Sequence, residues 1–321
     1  MPFAGPRRYP RVIVTTTPHS TPWIVAQVFG STALVWDGRT TREAVLAGRL
    51  KAETDRTRSN ALAVGDEVAL EEGDAAPPRL IGVSPRRTHL ERAATGSAGR
   101  GRMQVIAANA DQAMIVASLT DPPFRPGLID RWTLLALRGG MEPILCVNKT
   151  DLGSEAEAEG LAREARIPLP LHAVSAANGA GFPALLARLT GRATVMVGHS
   201  GVGKSSLLHR LVPDADAATG ELSGRNRKGR HTTTSARLYP LPDGGHLVDT
   251  PGVRSVVLGP THVAEVAAVF PEIADAPACR FRPCTHRTEP GCSVLAALER
   301  GTLGAAVYQR YRKLLEEAET R

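Results

Sequence analysis

Short apolar runs broken by Gly, Asp and Pro mark the first patterned stretch of the chain. From Trp23 come WIVAQVF, ALVWDG and TREAVLAG, followed by DEVALEE at Asp66 and RLIGV at Arg79. These runs carry Val, Ile, Thr, Trp and Phe over spans too short for a helix, so each is predicted to be a strand. Five short strands with tight turns suit a small β-barrel. An OB-fold is the leading expectation and an SH3-like barrel the alternative. The polar stretch Lys51 to Ser59 (KAETDRTRS) reads as a long barrel loop. Residues 1–20 hold Pro, Thr and basic side chains without periodicity and read as a flexible tail.

From Asp111 the texture changes to strand alternating with helix. QAMIVASL, PILCVN, LPLHAVS and ATVMVG read as strands. LIDRWTLLALRGG, SEAEAEGLAREAR, FPALLARL and KSSLLHRLV between and after them read as helices. SARLYPL and HLVDT add two more strands. This rhythm predicts a mostly parallel sheet with helices on both faces. After Pro260 the chain turns helical, passes a cysteine cluster and ends in an amphipathic helix near Tyr308–Glu319. The expected organisation is a multidomain chain. It comprises a barrel over 21–90, an α/β P-loop domain over 91–260 and a mainly α metal-binding region over 261–321.

The 321 residues carry a formal net charge of +7, which favours a polyanionic partner. No run of 18 or more apolar residues occurs, so no membrane span is expected. The basic N-terminus lacks the apolar core of a secretory signal. Of the 4 cysteines, Cys279, Cys284 and Cys292 crowd together, which suits a metal site in a reducing, cytoplasmic compartment better than a disulfide framework.

Four motifs carry chemistry. Gly198-His199-Ser200-Gly201-Val202-Gly203-Lys204-Ser205, with Ser206 after it, fits GxxxxGKS between a strand and a helix. Its glycines let backbone N–H groups turn toward phosphates, Lys204 offsets their charge and the Ser205 hydroxyl suits Mg²⁺. Asn148-Lys149-Thr150-Asp151 is NKxD at a strand end. The Asp151 carboxylate matches the two adjacent N–H groups of guanine, and adenine would leave it unpaired, so an ATPase is opposed. Ser175-Ala176 ends the next strand, where a backbone N–H can meet guanine O6. Asp249-Thr250-Pro251-Gly252 is DxxG, with Asp249 reaching Mg²⁺ through water and the Gly252 N–H meeting the γ-phosphate. Between Lys204 and Asp249 the basic stretch Thr219 to Ser235 stands where a switch segment belongs. One of Thr232, Thr233 and Thr234, with Thr233 favoured, completes the Mg²⁺ shell; the sequence leaves that choice open. Each motif alone has a plainer reading as a capped turn or glycine loop.

These motifs run in a rotated order, because NKxD and the Ser-Ala turn precede the phosphate loop. The set is complete, which implies a circularly permuted GTPase domain. The cysteines form Cys279-x4-Cys284-x-His286-x5-Cys292. Three thiolates and one imidazole suit a single tetrahedral Zn²⁺ in a closed structural site, against the plainer reading of three buried thiols. Cys146 reads as an apolar strand residue.

With AVGDEV (63–68), RRTHLER (86–92), AANADQAMIV (107–116), GRHTTT (229–234), DTPG (249–252) and FPEI (270–273), the chain resembles the ribosome-small-subunit-dependent GTPase A (RsgA) family. The resemblance implies an OB-fold, a permuted GTPase domain and a zinc domain. It also implies a role in late maturation of the small ribosomal subunit, with subunit-stimulated hydrolysis of GTP to GDP, contact with its rRNA and no membrane partner. Val253 follows DxxG and cannot orient water, so slow unassisted turnover is expected and His231, in GRHTTT, is the candidate catalytic group. Trp23, Phe29 and Trp36 are read as core positions, so RNA contact would rest on backbone and shape. The competing reading is an RNA-binding module whose GTP site only tunes affinity. A monomer is expected.

Overall fold

The structure, a computed structural model, describes residues 22–48, 50, 60–72, 77–94, 102–215, 236–250 and 258–319. The tail expected over 1–20, the loop Lys51 to Ser59, the switch residues His231 and Thr233, and Gly252 and Val253 lie outside the described residues.

Strands β1 (Trp23–Phe29), β2 (Thr32–Trp36), β3 (Thr41–Leu46), β4 (Glu67–Glu71) and β5 (Arg79–Val83) form the barrel. The ring runs β1-β2-β3-β5-β4 and closes through β4 against β1. β3 and β5 are parallel and the other neighbours antiparallel, which is OB-fold topology. Alternate positions fill the interior: Val25, Ala33, Val35, Ala44 and Leu80 are fully buried. The aromatics expected in the core are half-buried instead. Trp36 stands at the barrel's exterior, where it meets His246 edge-on at 5.9 Å between centroids. The Trp23 ring carries the Arg42 guanidinium 5.5 Å from its centroid.

A two-stranded ribbon, β6 (His89–Ala93) with β7 (Met103–Ala108), spans the boundary expected at residue 90. Around it three of the signature stretches stitch barrel to sheet. Arg86 clasps the fully buried Asp66 with bonds of 2.6 and 2.8 Å. The Asn109 side chain accepts from the Arg87 N–H at 2.8 Å and donates to the Gly65 carbonyl at 3.0 Å. Gly65 has φ +89° and packs so closely on Ala108 that a Cβ would come within 2.0 Å of the Ala108 carbonyl oxygen.

The central sheet comprises β8 (Gln112–Ser118), β9 (Glu142–Asn148), β10 (Leu171–Ala173), β11 (Ala193–Gly198), β12 (Arg237–Pro240) and β13 (His246–Asp249). The order β10-β9-β8-β11-β13 is parallel, and β12 adds to it antiparallel. β12 also pairs with barrel strand β1 through Gln27 and Arg237, so sheet and barrel are continuous. Every residue of β8 and β11 is buried, as a strand covered on both faces requires.

Period-two alternation splits the core in two. Ile115, Val195 and Val197 face one side with Ile129 and Trp132 of helix α1 (Pro126–Arg138). Ala158 and Ala162 of α2 (Glu155–Glu164) join them. Met114, Val116 and Met196 face the other side with Leu185 of α3 (Phe182–Leu189) and Leu207 of α4 (Lys204–Leu211).

The C-terminal region holds α5 (Val263–Ala267), α6 (Pro271–Ala274), α7 (Ser293–Glu299) and α8 (Ala305–Glu319). Helix α8 packs on α1 through two bidentate ion pairs. Arg310 meets Asp130 at 2.8 and 3.2 Å, and Arg131 meets Glu317 at 2.6 and 2.5 Å. Burial pushes the Asp130 carboxyl upward, and the Arg310 guanidinium opposes that shift. No helix among the described residues is long and apolar enough to cross a membrane.

Candidate functional site

The motif residues follow the C-terminal ends of β9, β10, β11 and β13, where an open α/β sheet places its crevice. Asn148 ends β9 and is buried. Its amide donates to the Val202 carbonyl at 3.0 Å and accepts from the Ala176 N–H at 3.0 Å. One side chain thereby joins the NKxD turn, the Ser-Ala turn and the phosphate loop. Lys149 follows in the left-handed region, φ +66°, and its ammonium donates to the Asp121 carbonyl. That turn leaves Asp151 exposed, with its carboxylate accepting from the buried Ser175 hydroxyl at 2.5 Å.

The phosphate loop links β11 to α4. Gly198 and Gly203 both have to be glycine: φ is +146° and +90°, and a Cβ would come within 2.3 Å of the Val116 carbonyl oxygen at the first and of the Asn148 amide nitrogen at the second. The Lys204 ammonium bridges the loop, donating to the Gly198 carbonyl at 2.7 Å and the His199 carbonyl at 2.9 Å. Burial lowers its pKa, and the Asp249 carboxylate opposes that effect. Asp249 shows the reciprocal pattern, raised by burial and lowered by Lys204. Ser200, Gly201, Ser205 and Ser206 are exposed around this cradle, while Val202 is buried under it.

The residues fit Mg²⁺. Asp249 Oδ1 is buried and has no hydrogen-bond partner among the described residues. An orphaned carboxylate oxygen is costly unless a ligand uses it, and a hard cation with its waters is such a ligand. Thr250 fixes the end of β13 by donating to the Met196 carbonyl at 2.8 Å.

A candidate metal site lies in the C-terminal region. The ligand atoms of Cys279, Cys284, His286 and Cys292 all fall within 4.8 Å of one another. Cys279 Sγ is 3.8 Å from Cys292 Sγ, and His286 Nδ1 is 3.5 and 3.3 Å from those two sulfurs. Tetrahedral zinc needs edges of about 3.8 Å between sulfurs and about 3.5 Å between sulfur and nitrogen, so donor set and spacing both fit. The outer supports are specific. The Tyr308 and Tyr311 hydroxyls donate to the His286 and Thr285 carbonyls at 2.7 and 3.0 Å, tying α8 to the ligand loop. Cys146 stays apart in β9, fully buried, with its thiol pushed up to about 12 by desolvation.

One functional contact escaped the sequence. Arg210, near the end of α4, donates from Nε to the Ala176 carbonyl at 3.1 Å and from Nη2 to the Ala177 carbonyl at 3.4 Å. Its guanidinium lies over the Phe182 ring, 5.4 Å from the centroid. The phosphate-loop helix thus holds the Ser-Ala turn by its carbonyls. In sequence, an arginine in the last turn of a helix signals only a favourable dipole interaction.

Comparison with known proteins agrees with this geometry. A model of the RsgA GTPase family matches residues 83–259. A "Small ribosomal subunit biogenesis GTPase RsgA" of Azotobacter vinelandii is 42% identical over 276 residues, covering 84% of this chain and 79% of its own. A protein of the same name from Gemmatimonas aurantiaca is 37% identical and covers 93% of this chain and 97% of its own. Among solved structures, YjeQ from Thermotoga maritima superposes with a TM-score of 0.71 at 27% identity, covering 94% of this chain and 99% of its own. YloQ, described as a circularly permuted GTPase, matches in fold with a TM-score of 0.68 at 24% identity. By its motifs, its permuted sheet and its relatives, the chain belongs to the RsgA GTPase family.

Proposed function

We propose that this protein hydrolyses GTP to GDP and phosphate in the cytoplasm to drive a late step in small-ribosomal-subunit biogenesis. The observation that carries the reading is the Asn148 side chain. It ties the guanine-reading turn to the phosphate loop, so that one purine nucleotide can touch both. Asp151 selects guanine, with the Ser175 hydroxyl orienting its carboxylate. The loop from Gly198 to Ser206 and the Lys204 ammonium hold the phosphates. Ser205, Asp249 through water, and Thr233 hold Mg²⁺, which supplies charge neutralisation at the phosphates when bound. Gly252 senses the γ-phosphate and His231 assists the attacking water. Cys279, Cys284, His286 and Cys292 hold one structural Zn²⁺ with no position open for catalysis.

The barrel (21–90), the GTPase domain (91–260) and the zinc region (261–321) divide the labour between RNA contact and switching. The sensor at Gly252 is followed closely by the zinc region, so the nucleotide state sets the affinity for the subunit and its rRNA. Two measurements test this. Binding of small subunits should be tighter with a non-hydrolysable GTP analogue than with GDP; equal affinity removes the switch, because a ligand without differential affinity shifts nothing. His231→Ala should retain GTP binding and lose subunit-stimulated turnover, and an unchanged stimulated rate removes His231 from the mechanism.

A further inference from the structure

The loop between the zinc ligands presents a feature that metal binding does not use. Phe281 is 48% exposed, one of three large apolar side chains so exposed among the described residues. The other two, Leu137 and Leu152, are isolated from it in sequence and are aliphatic. Arg280, Arg282 and Pro283 beside it are exposed as well. The Arg280 guanidinium lies over the Phe281 ring at 5.3 Å from the centroid. Its stem runs along Gly291, where an added Cβ would come within 3.0 Å of the Arg280 Cβ. The loop whose four candidate ligands converge, and whose carbonyls at Thr285 and His286 are held by Tyr311 and Tyr308, keeps this platform in place, so little ordering entropy remains to be lost when something lands on it.

Charge identifies the occupant. Between Cys279 and Cys292 the loop carries Arg280, Arg282 and Arg287 against a single acid, Glu289. Glu289 is consumed internally: it accepts from the Thr285 N–H and hydroxyl at 2.5 and 2.6 Å and from the Arg287 N–H at 2.9 Å. Arg287 pairs with Glu319 of α8 at 2.8 Å. No carboxylate among the described residues pairs with Arg280 or Arg282. The surface is therefore one exposed aromatic ring, with Arg280 over one face and Arg282 beside it, and no carboxylate among the described residues neutralises either cation. A protein partner requires a broader apolar patch. An unstacked base on an aromatic ring, with its phosphates beside arginines, requires only this.

We propose that Arg280, Phe281 and Arg282 form a contact for an unpaired nucleotide of RNA, with the base stacked on Phe281. The inference rests on the small-subunit reading above and deepens it to a residue. The test uses the full-length, zinc-loaded protein with a GTP analogue and purified small subunits. Phe281→Ala should weaken subunit binding about 5–150-fold, the range expected for losing one base–aromatic stack. Phe281→Trp should restore it, and zinc content should match the parent in both variants. A photoreactive benzoylphenylalanine at position 281 should cross-link to rRNA. Undiminished binding by Phe281→Ala with zinc retained overturns the proposal, and so does a cross-link confined to ribosomal protein. If the parent itself fails to bind subunits, the biogenesis reading falls. A short oligouridylate then decides the inference: binding lost in Phe281→Ala sustains it, and binding equal to the parent, or none by either, ends it.

Discussion

Arg210 shows how a single side chain outside every motif can shape a binding site. It reaches from the phosphate-loop helix to the carbonyls of Ala176 and Ala177, so the Ser-Ala turn is held on one side by Asn148 and on the other by Arg210. Arg210→Ala should raise KM for GTP about 3–10-fold, the scale of one ordinary hydrogen bond, with kcat unchanged. Arg210→Lys should recover part of the loss, and steady-state kinetics of the three proteins check both statements. His246 makes a different kind of prediction. Burial against Trp36 pushes its pKa from 6.5 down to about 4, with the Asp111 carboxylate opposing. The folded state therefore keeps His246 neutral where the unfolded chain protonates it. Its contribution is complete above pH 6.5 and is lost as the pH falls toward 4, amounting to roughly 3 kcal/mol. His246→Gln should flatten that acid limb in denaturation curves recorded between those limits.

At the scale of elements, strands and helices with strong patterns were legible in advance. ATVMVG and FPALLARL correspond residue for residue to β11 and α3, because continuous burial and an amphipathic period leave one reading each. The barrel's five strands were also legible, from β-branched runs between turns. The ribbon β6–β7 was not, since HLERA alternates half-buried polar residues whose cover comes from α1, distant in sequence. Likewise the site's donor set was readable from spacing, but Arg210 depends on a tertiary approach that spacing cannot report. The loop over 279–292, with zinc bound as proposed, carries the prediction at this scale. Its backbone is held by α8 through Tyr308 and Tyr311, so chelation should loosen both the loop and the helix. Removing the metal should change the near-ultraviolet tyrosine signal and lower the thermal midpoint, with recovery on adding Zn²⁺. An unaltered signal after verified metal loss would remove zinc from the structural account.

At the scale of the molecule, the sheet runs unbroken from β10 through β12 into the barrel, and α8 returns the C-terminal region to α1. Barrel, nucleotide site and C-terminal region therefore share one mechanical frame. Two of its joints are nearly dry: Arg86 with Asp66, and Arg310 with Asp130, whose side chains are 15% and 4% exposed. Arg310→Ala leaves a buried carboxylate unpaired and should cost about 3–5 kcal/mol in chemical denaturation. Replacing both partners by leucine should recover most of that. The central claim is that one guanine nucleotide spans the Asp151 turn and the Lys204 cradle and is hydrolysed on the small subunit. The direct measurement is steady-state release of phosphate from GTP and from ATP, with and without purified small subunits. GTP turnover alone should be slow, on the order of 10⁻⁴–10⁻³ s⁻¹, and strongly accelerated by the subunit, with no comparable reaction of ATP. ATP hydrolysed as fast as GTP, or GTP turnover indifferent to the subunit, would contradict that claim.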